Sequence, residues 1–274
     1  MSDIDVKQRL KRDVPWIAGV ISVFYAGAVV AYGGFGGDSH VYWSAARNIS
    51  YSAEPYAAGA FLYSPAFAQV LWPLAQLPWP IFSALWLVLA ALTFAYLLKS
   101  LGWRLAVPLW LCCTPELVFG NVFWVFALVV AFGLRVPSLW LFPLLTKVTP
   151  ALGPIWFLAR REWGKLVVSV IATIVVVGIS VAFDPQAWRG WLQFLWGHRG
   201  MTASQVGEWS LSPMIRVPLA VILIFWGGLK NKLWTIPAAV VLATPVFWSA
   251  VFVVFAGLPR LLESAGHASS DTDA

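Results

Sequence analysis

The chain has 274 residues, of which 60% are hydrophobic and 11% are charged, whereas an ordinary soluble domain is about 25% charged. A surface with so few charges cannot be solvated by water, so the composition excludes a soluble enzyme. The net charge of +6 does not indicate a nucleic-acid partner, because the basic residues lie at the ends of apolar runs and form no stripe.

Nine apolar runs follow one another along the chain, separated by turn residues and charges. They cover residues 15–32, 62–78, 80–98, 105–119, 121–134, 137–158, 165–183, 212–228 and 233–260. A membrane helix needs about 20 mostly apolar residues, and the last run can hold two short helices. The sequence therefore predicts an all-α, polytopic transmembrane helical protein with about nine to ten membrane helices.

Prolines interrupt several of these runs, among them Pro108, Pro115, Pro143 and Pro150. Broken helices at membrane depth are tolerated where they are buried in protein or line a wet cavity. The pattern favours a catalyst or a carrier over a simple anchor.

The chain is predicted to form a single transmembrane domain over residues 1–262. The polar stretch 263–274 has no periodicity and is expected to be a disordered cytoplasmic tail. A charged stretch precedes the first apolar run and no small-residue cleavage site follows it, which predicts a retained helix and not a signal peptide.

Basic residues near the helix ends predict the orientation in the cell membrane. Three basic clusters lie at residues 7–12, 160–165 and 230–232. If every run crosses the membrane, these clusters and both termini are cytoplasmic, and the long segments 33–61 and 184–211 are external. The same count also places six basic residues outside, so the bias toward the cytoplasm is real but moderate: Arg47, Lys99, Arg104, Arg135, Arg189 and Arg199.

The first external segment contains a carboxylate at the end of the first membrane helix. A glycine-rich stretch, residues 33–37, precedes Asp38, and Tyr42, Trp43 and Ala46 follow at helical spacing. An acid at the mouth of a membrane cavity can act as a general base, because partial desolvation raises its pKa. Asp38 can equally cap the helix that begins after it, and the two roles are compatible.

Aromatic and acidic residues continue along the same segment. Glu54, Tyr56 and Tyr63 can hydrogen-bond sugar hydroxyls, and their rings can stack on sugar faces. Tyrosines at a membrane surface also serve as interface anchors. Their density in this segment is what favours the binding interpretation.

Lys147 lies in the middle of an otherwise apolar run. A charge at that position is costly and is therefore a functional candidate. Its partner is either a phosphate or Glu116, a carboxylate that also lies within an apolar region. The alternative is that the side chain snorkels to the membrane surface.

The second external segment combines aromatic residues at helical spacing with several charges. Trp188, Trp191, Phe194 and Trp196 predict an amphipathic helix that lies on the membrane. Beyond it, Arg199 and Arg216 can hold a lipid phosphate or make ordinary headgroup contacts. His198 and Glu208 also follow this helix, and a lone histidine is usually satisfied polar surface.

The sequence has no phosphate-cradling glycine loop with Lys and Ser or Thr, no His-Glu-x-x-His pair and no nucleophile elbow. ATP hydrolysis, metalloprotease and serine-hydrolase mechanisms therefore have no visible machinery. We expect no cofactor and no metal.

Taken in order, these segments resemble glycosyltransferase family 87, the polyprenol-phosphate-mannose-dependent mannosyltransferases with the GT-C membrane fold. The likeness runs from Asp38 to about Pro259. It rests on these elements in this order: Asp38 with Tyr42, Trp43 and Ala45-Ala46; Pro55-Tyr56; Tyr63-Ser64-Pro65; Pro73-Leu74; Gly120-Asn121; Lys147-Val148-Thr149-Pro150; Arg160-Arg161-Glu162-Trp163; Glu208-Trp209-Ser210 with Arg216; and Pro245-Val246-Phe247-Trp248.

The resemblance implies an inverting transfer of a hexose, mannose in this family, on the external face. The donor is a polyprenyl-phosphate sugar, the acceptor is a lipid or a glycan, and membrane lipids surround the protein. Asp38 would be the base, and Lys147, Arg216 and Arg199 would bind the donor phosphate. The residues expected at the sugar or acceptor are Tyr42, Trp43, Glu54, Tyr56, Tyr63, Glu208 and Trp248.

Two departures from the family pattern stand out. Family members commonly carry histidine just after the Pro-x-x-Trp element, where this chain has Ser249-Ala250-Val251, and Glu208 replaces the usual Asn. A carrier or flippase for a lipid-linked sugar is the rival hypothesis, under which Asp38 is dispensable. A structural subunit is the third, under which Asp38, Glu54 and Lys147 share no cavity.

Overall fold

The computed structural model describes residues 3–51, 59–198, 212–245 and 247–270. These residues form helices and no β-strand, which confirms the predicted all-α class. The α-helices are α1 (Asp3–Ala31), α2 (Gly37–Arg47), α3 (Pro65–Ala75), α4 (Trp79–Leu98), α5 (Trp103–Cys112), α6 (Thr114–Phe119), α7 (Phe123–Phe132), α8 (Leu141–Thr146), α9 (Gly153–Ala159), α10 (Trp163–Phe183), α11 (Pro185–Gly197), α12 (Pro213–Leu229), α13 (Thr235–Ala243) and α14 (Leu258–Ser270). Short 3₁₀ helices cover Lys99–Leu101, Pro137–Trp140 and Ser249–Gly257.

Three of the described helices are long and apolar enough to cross a membrane: Asp13–Ala31, Trp79–Leu101 and Trp163–Phe183. Other predicted runs are divided into shorter helices, as the prolines indicate. The run 105–119 breaks between α5 and α6, where Pro115 begins a new helix. The run 137–158 breaks between α8 and α9 at Lys147–Pro150. The protein is therefore a polytopic membrane protein in which several apolar runs are divided into shorter helices.

The first helix and the α5–α6 pair run side by side in the same direction. Gly19 of α1 lies against Pro108 of α5. Further along, the rings of Tyr25 on α1 and Phe119 on α6 lie 6.5 Å apart, centroid to centroid. Because α1 and the α5–α6 pair are parallel, the start of α5 with Arg104 lies at the end of the bundle where α1 begins. We call this the N-terminal end, and α2 follows α1 at the opposite end.

Three more basic residues gather at the N-terminal end. The Arg260 guanidinium donates to the carbonyl of Tyr96 at 3.1 Å, and the Lys99 ammonium lies 4.8 Å from the Tyr96 ring centroid. Arg135 donates to the carbonyl of Ser264 at 2.8 Å. Lys99, Arg135 and Arg260 are thus neighbours across three segments of the chain.

The helix α3 explains why these residues share one end. It has 11 residues, about half the length that a crossing needs. Just after it, the Leu77 carbonyl accepts a hydrogen bond from the Trp43 indole of α2 at 2.9 Å, so α4 begins at the same end of the bundle as α2. The prediction that residues 62–78 cross the membrane put Lys99, Arg104 and Arg135 at the end of the bundle opposite the start of α1. In the structure this segment does not cross, and the three residues lie at the N-terminal end.

The centre of the molecule is α7. Phe123, Phe126 and Ala127 on this helix are at most 1% exposed. Gly257 in the last 3₁₀ helix lies so close that a Cβ there would overlap the Ala127 carbonyl, and small residues permit such close approach between membrane helices. Tight packing of α7 fixes the position of the turn that precedes it.

The helix α11 confirms the amphipathic helix that the spacing of Trp188, Trp191 and Phe194 predicts. Trp188, Trp191 and Phe194 are each 8% exposed, whereas Leu192 is 56% and Trp196 is 71% exposed. The Trp191 indole anchors the helix by donating to the Leu62 carbonyl at 3.1 Å. One face therefore packs on the protein and the other faces outward.

The C-terminal helix α14 extends into the stretch expected to be an irregular tail. Arg260 and Glu263, one turn apart, form an ion pair at 2.7 Å, and such pairs favour a helix. Residues 271–274 lie outside the described residues.

Candidate active site

The start of α2 is pressed onto α6. Gly36 has φ = 69°, a left-handed conformation that glycine adopts without strain, and its N–H donates to the Val118 carbonyl at 2.7 Å. Gly36, and not Asp38, occupies the N-cap position. Asp38 is the second residue of α2, which leaves its carboxylate available to a neighbouring element.

That element is the turn between α6 and α7. Nδ2 of Asn121 donates to Oδ2 of Asp38 at 2.5 Å, and Oδ1 of Asn121 accepts the N–H of Val122 at 2.7 Å. Gly120 has φ = 70°, and a Cβ there would overlap the side chain of Ser39 on α2. The glycine therefore permits both the turn and the close contact that joins Asn121 to Asp38.

Lys147 follows α8 and lies over two aromatic rings. Its Nζ is 4.8 Å from the Phe123 ring centroid and 5.2 Å from the Tyr63 ring centroid, within the range of cation–π attraction. Among the residues that the structure describes, Lys147 forms no ion pair, not even with Glu116. An ammonium held over two rings near Asp38 argues against snorkelling.

Two tyrosines complete the group. The hydroxyls of Tyr42 and Tyr63 are 3.0 Å apart, and the residues are 3% and 8% exposed. The Tyr42 ring is 5.7 Å from the Trp86 ring and 5.2 Å from the Phe67 ring. Protein therefore encloses both tyrosine rings, and the two hydroxyl groups are hydrogen-bond partners of each other.

We call Asp38, Tyr42, Tyr63, Asn121 and Lys147 the Asp38 cluster. Burial raises the pKa of the Asp38 carboxyl above its usual value, and this outweighs the opposing effects of the Lys147 charge and the Asn121 hydrogen bond. A carboxylate with a raised pKa is a stronger proton acceptor than a solvated one. The cluster therefore combines a base with a cation that can attract an anion.

Arg216 on α12 is only 2% exposed and holds the segment after α13. Its guanidinium donates to the carbonyls of Leu242 at 3.1 Å, Thr244 at 2.8 Å and Pro245 at 3.2 Å. It also lies 5.2 Å from the Phe247 ring centroid. The geometry gives Arg216 a structural task beside any contact with a donor phosphate.

Trp248 connects this segment to α6. Its ring meets the Phe119 ring edge to face, with centroids 4.5 Å apart. The C-terminal Pro-x-x-Trp element is thereby packed against the short helix that precedes Asn121.

Comparison with known proteins identifies the chain. The family model described as glycosyltransferase family 87 matches residues 61–267, well over half of the sequence. The chain belongs to glycosyltransferase family 87. Because it belongs to this family, the protein is a membrane glycosyltransferase, with a sugar donor and an acceptor as substrates. No curated protein and no solved structure matches it.

The family 87 match covers Tyr63, Asn121, Lys147, Arg216 and Trp248 and begins after α2. The role of Asp38 thus depends on the structure, which joins α2 to the matched part through Asn121. Contact between these regions links the carboxylate to elements that the family model itself contains.

The structure of this glycosyltransferase brings four of the predicted site residues together: Asp38, Tyr42, Tyr63 and Lys147. Trp43 lies on a different face of α2, where its ring is 6.0 Å from Trp79 and under the Arg47 guanidinium at 4.8 Å. That position suits an interface anchor near the site better than a wall of the Asp38 cluster.

Four predicted residues of this family 87 protein lie outside the described residues: Glu54, Tyr56, Arg199 and Glu208. Their proposed contacts with phosphate, sugar or acceptor stay predictions.

Sequence reasoning did not assign a role to Asn121, although it orients the carboxylate. The available signal was the Gly120-Asn121 step, a glycine and an amide after an apolar run. A helix break that ends in a polar side chain indicates a contact across the bundle.

Proposed function

We propose that this glycosyltransferase moves mannose from a polyprenyl-phosphate donor to a hydroxyl of a lipid or glycan acceptor, with inversion and with Asp38 as general base. The observation that carries the proposal is the Asp38 carboxylate, oriented by Asn121, beside the Lys147 ammonium, which forms no ion pair in the described part of the chain. One group accepts a proton while the other stabilises an anion, and glycosyl transfer needs both.

Asp38 acts on the acceptor. Its carboxylate takes the proton of the acceptor hydroxyl as that oxygen forms a bond to the anomeric carbon. The bond between that carbon and the phosphate oxygen breaks on the other face of the sugar, so the configuration inverts. Because Asn121 Nδ2 occupies Oδ2 of Asp38, the other carboxylate oxygen is the one that receives the proton.

Lys147 acts on the leaving group. The departing polyprenyl phosphate takes the electron pair of the broken bond, and a nearby ammonium stabilises the charge that develops. The two aromatic rings beneath Nζ support the cation without neutralising it. Arg216 donates to three backbone carbonyls. We therefore propose that it maintains the conformation of the backbone around the donor site and that Lys147 is the main ligand of the phosphate.

The lipid donor accounts for the apolar architecture. A polyprenyl chain can lie between helices while its phosphate reaches the Asp38 cluster at the end of the bundle opposite the N-terminus. The choice of mannose and of a polyprenyl phosphate rests on the family resemblance.

The same end of the bundle is proposed to face the outside. Lys99, Arg104, Arg135 and Arg260 gather at the N-terminal end, and basic residues favour the cytoplasmic side. Both termini are then cytoplasmic, and the Asp38 cluster is external.

The test is sugar transfer from radiolabelled polyprenyl-phosphate mannose to a membrane lipid extract, with wild type and Asp38→Asn purified in the same detergent. We expect the variant to lose at least about 100-fold in rate, the lower range for removal of a general base. Asp184→Asn is the matched control, since Asp184 caps α11 by accepting the Ala187 N–H and asparagine caps equally well.

Three results are informative. Loss of transfer in folded Asp38→Asn with full activity in the control supports the base. Equal transfer by both variants removes Asp38 from the mechanism. Binding of the donor by wild type without any transfer points to the carrier hypothesis.

A further inference from the structure

Glu116 is a buried carboxylate that the chemistry proposed above does not use. It lies on α6, just before the turn Gly120–Val122, and is only 1% exposed. A carboxylate costs free energy in such surroundings unless hydrogen bonds compensate it. Its partners therefore indicate what it is there to do.

One oxygen of Glu116 organises the start of α7. Oε1 accepts the N–H of Phe123, the first residue of that helix, at 2.8 Å. Beside it, Oδ1 of Asn121 accepts the N–H of Val122. The first N–H groups of a helix have no partner within the helix, so these two side chains together satisfy the backbone where α7 begins.

The same turn orients the proposed base. The Asn121 side chain accepts the Val122 N–H through Oδ1 and donates to Asp38 through Nδ2, so the conformation of the turn determines where this amide lies. Gly120 presses against Ser39 on one side, and Glu116 holds Phe123 on the other. The turn is thereby fixed between α2 and α7.

We propose that Glu116 is a positioning residue: by accepting the Phe123 N–H it fixes the turn that carries Asn121 and so sets the orientation of the Asp38 carboxylate. It acts through this hydrogen bond and not through its charge. The inference deepens the proposed function and rests on it for the role of Asp38.

The second oxygen makes the distinction testable. Oε2 of Glu116 is buried and has no hydrogen-bond partner among the described residues. A neutral amide can therefore replace the carboxyl group and keep an oxygen that accepts the Phe123 N–H. Glu116→Gln replaces the ionisable group and keeps an acceptor oxygen, whereas Glu116→Met removes the acceptor at similar length.

The kinetic experiment compares Glu116→Gln, Glu116→Met, Asn121→Ala and the double variant Glu116→Met/Asn121→Ala in the transfer assay. We expect Glu116→Gln to stay within about 3-fold of wild type. Glu116→Met and Asn121→Ala should each lose about 10- to 100-fold in kcat with little change in the donor KM. The double variant should be no worse than the poorer single variant, because residues in one network are not additive.

The pH profile separates hydrogen bond from charge. The groups around Asp38 are Asn121, Lys147, Tyr42, Tyr63 and, behind them, Glu116. Loss of the Asn121 donor raises the pKa of Asp38 because the carboxylate loses a stabilising hydrogen bond. The acid limb of kcat/KM should therefore move to higher pH in Asn121→Ala and Glu116→Met and stay in place in Glu116→Gln. A role through charge would instead move it to lower pH in Glu116→Gln.

A readout independent of sugar transfer is the side-chain amide NMR signal of Asn121, assigned by its loss in Asn121→Ala. The signal should titrate with Asp38 in wild type and Glu116→Gln, and lose this titration in Glu116→Met and Asp38→Asn. If Glu116→Met does not fold, Glu116→Asp, which withdraws the acceptor from Phe123, takes its place.

The outcomes separate the two proposals. Wild type that transfers no sugar but shows this NMR pattern refutes the proposed function and leaves the role of Glu116 standing. Three results would each overturn the inference. The Asn121 signal could titrate normally in folded Glu116→Met, the losses of kcat in Glu116→Met and Asn121→Ala could be additive in the double variant, or Glu116→Gln could be as impaired as Glu116→Met.

Discussion

Two cations lie deep in apolar segments of this protein, and the structure holds them in opposite ways. Lys147 rests over the rings of Phe123 and Tyr63 without an ion pair in the described part of the chain. Arg216 directs its guanidinium at three backbone carbonyls at the end of α13 and just after it. The Arg216 guanidinium is engaged by the backbone, whereas the Lys147 ammonium is the one that we propose to meet a ligand.

The chemistry of the two side chains explains the difference. A guanidinium presents five donors in a planar fork and can satisfy several carbonyls at once, whereas an ammonium is a compact point charge. The break after α13 leaves carbonyls that need donors. A charge within an apolar run therefore marks a place that needs a charge, and the need can be structural as well as catalytic.

Replacing Lys147 should have the largest effect of the changes that separate these roles. We expect Lys147→Met to lower kcat for sugar transfer about 100- to 1,000-fold, the range for removal of a group that stabilises transition-state charge. The apparent melting temperature in detergent should change little. Lys99→Met, at the N-terminal end, is the matched control and should keep full activity. A fully active Lys147→Met enzyme would mean that another cation meets the leaving phosphate.

Replacing Arg216 should show the converse. Arg216→Met leaves buried carbonyls without donors, at about 1–3 kcal/mol each. Three such carbonyls cost at least about 3 kcal/mol together, and 1 kcal/mol corresponds to about 2–4 °C in a protein of this size, so the apparent melting temperature should fall by at least about 6 °C. Transfer by the folded fraction should stay within about 3-fold of wild type. Unchanged stability with a large loss of kcat would move Arg216 to the donor phosphate.

The smallest expected effect is on the pH dependence of sugar transfer, which should differ between the Lys147 and the Arg216 variants. Asp38 must be deprotonated to act, so activity falls as the pH drops through its pKa. Because burial raises this pKa, the acid limb of kcat/KM should lie above the ordinary aspartate value of 3.8. The Lys147 charge lowers the pKa of Asp38, so the residual activity of Lys147→Met should have its limb at still higher pH. Arg216→Met should leave the limb unchanged, and equal shifts in both variants would contradict the separate roles.

Local patterns in the sequence were enough to predict much of the fold. The spacing of Trp188, Trp191 and Phe194 predicted α11, because a helix with one protein face has that period. Pro115 and Pro150 marked real breaks, since proline removes a donor from the helix. The extent of α3 could not be predicted in this way. Hydropathy measures the apolar length of 62–78 but does not reveal that the segment turns back at Leu77.

The candidate site was predictable only in part. Asp38 and Lys147 stood out because each is a charge at an unusual place in an apolar chain. Asn121 did not stand out, since its partner Asp38 is 83 residues away in sequence and no local pattern around either residue indicates the contact. The role of Arg216 was hidden for a similar reason: its partners are backbone carbonyls, which carry no sequence signature.

The shortness of α3 also determines whether an odd or an even number of membrane crossings precedes each later connection. Each full crossing exchanges inside for outside, and a helix that turns back exchanges nothing. Removing one crossing before α4 therefore reverses the side assigned to every connection that follows until another broken segment restores it. In this protein, the short helix α3 places Lys99, Arg104 and Arg135 at the end of the bundle where Arg260 also lies, which is the end that we propose to be cytoplasmic.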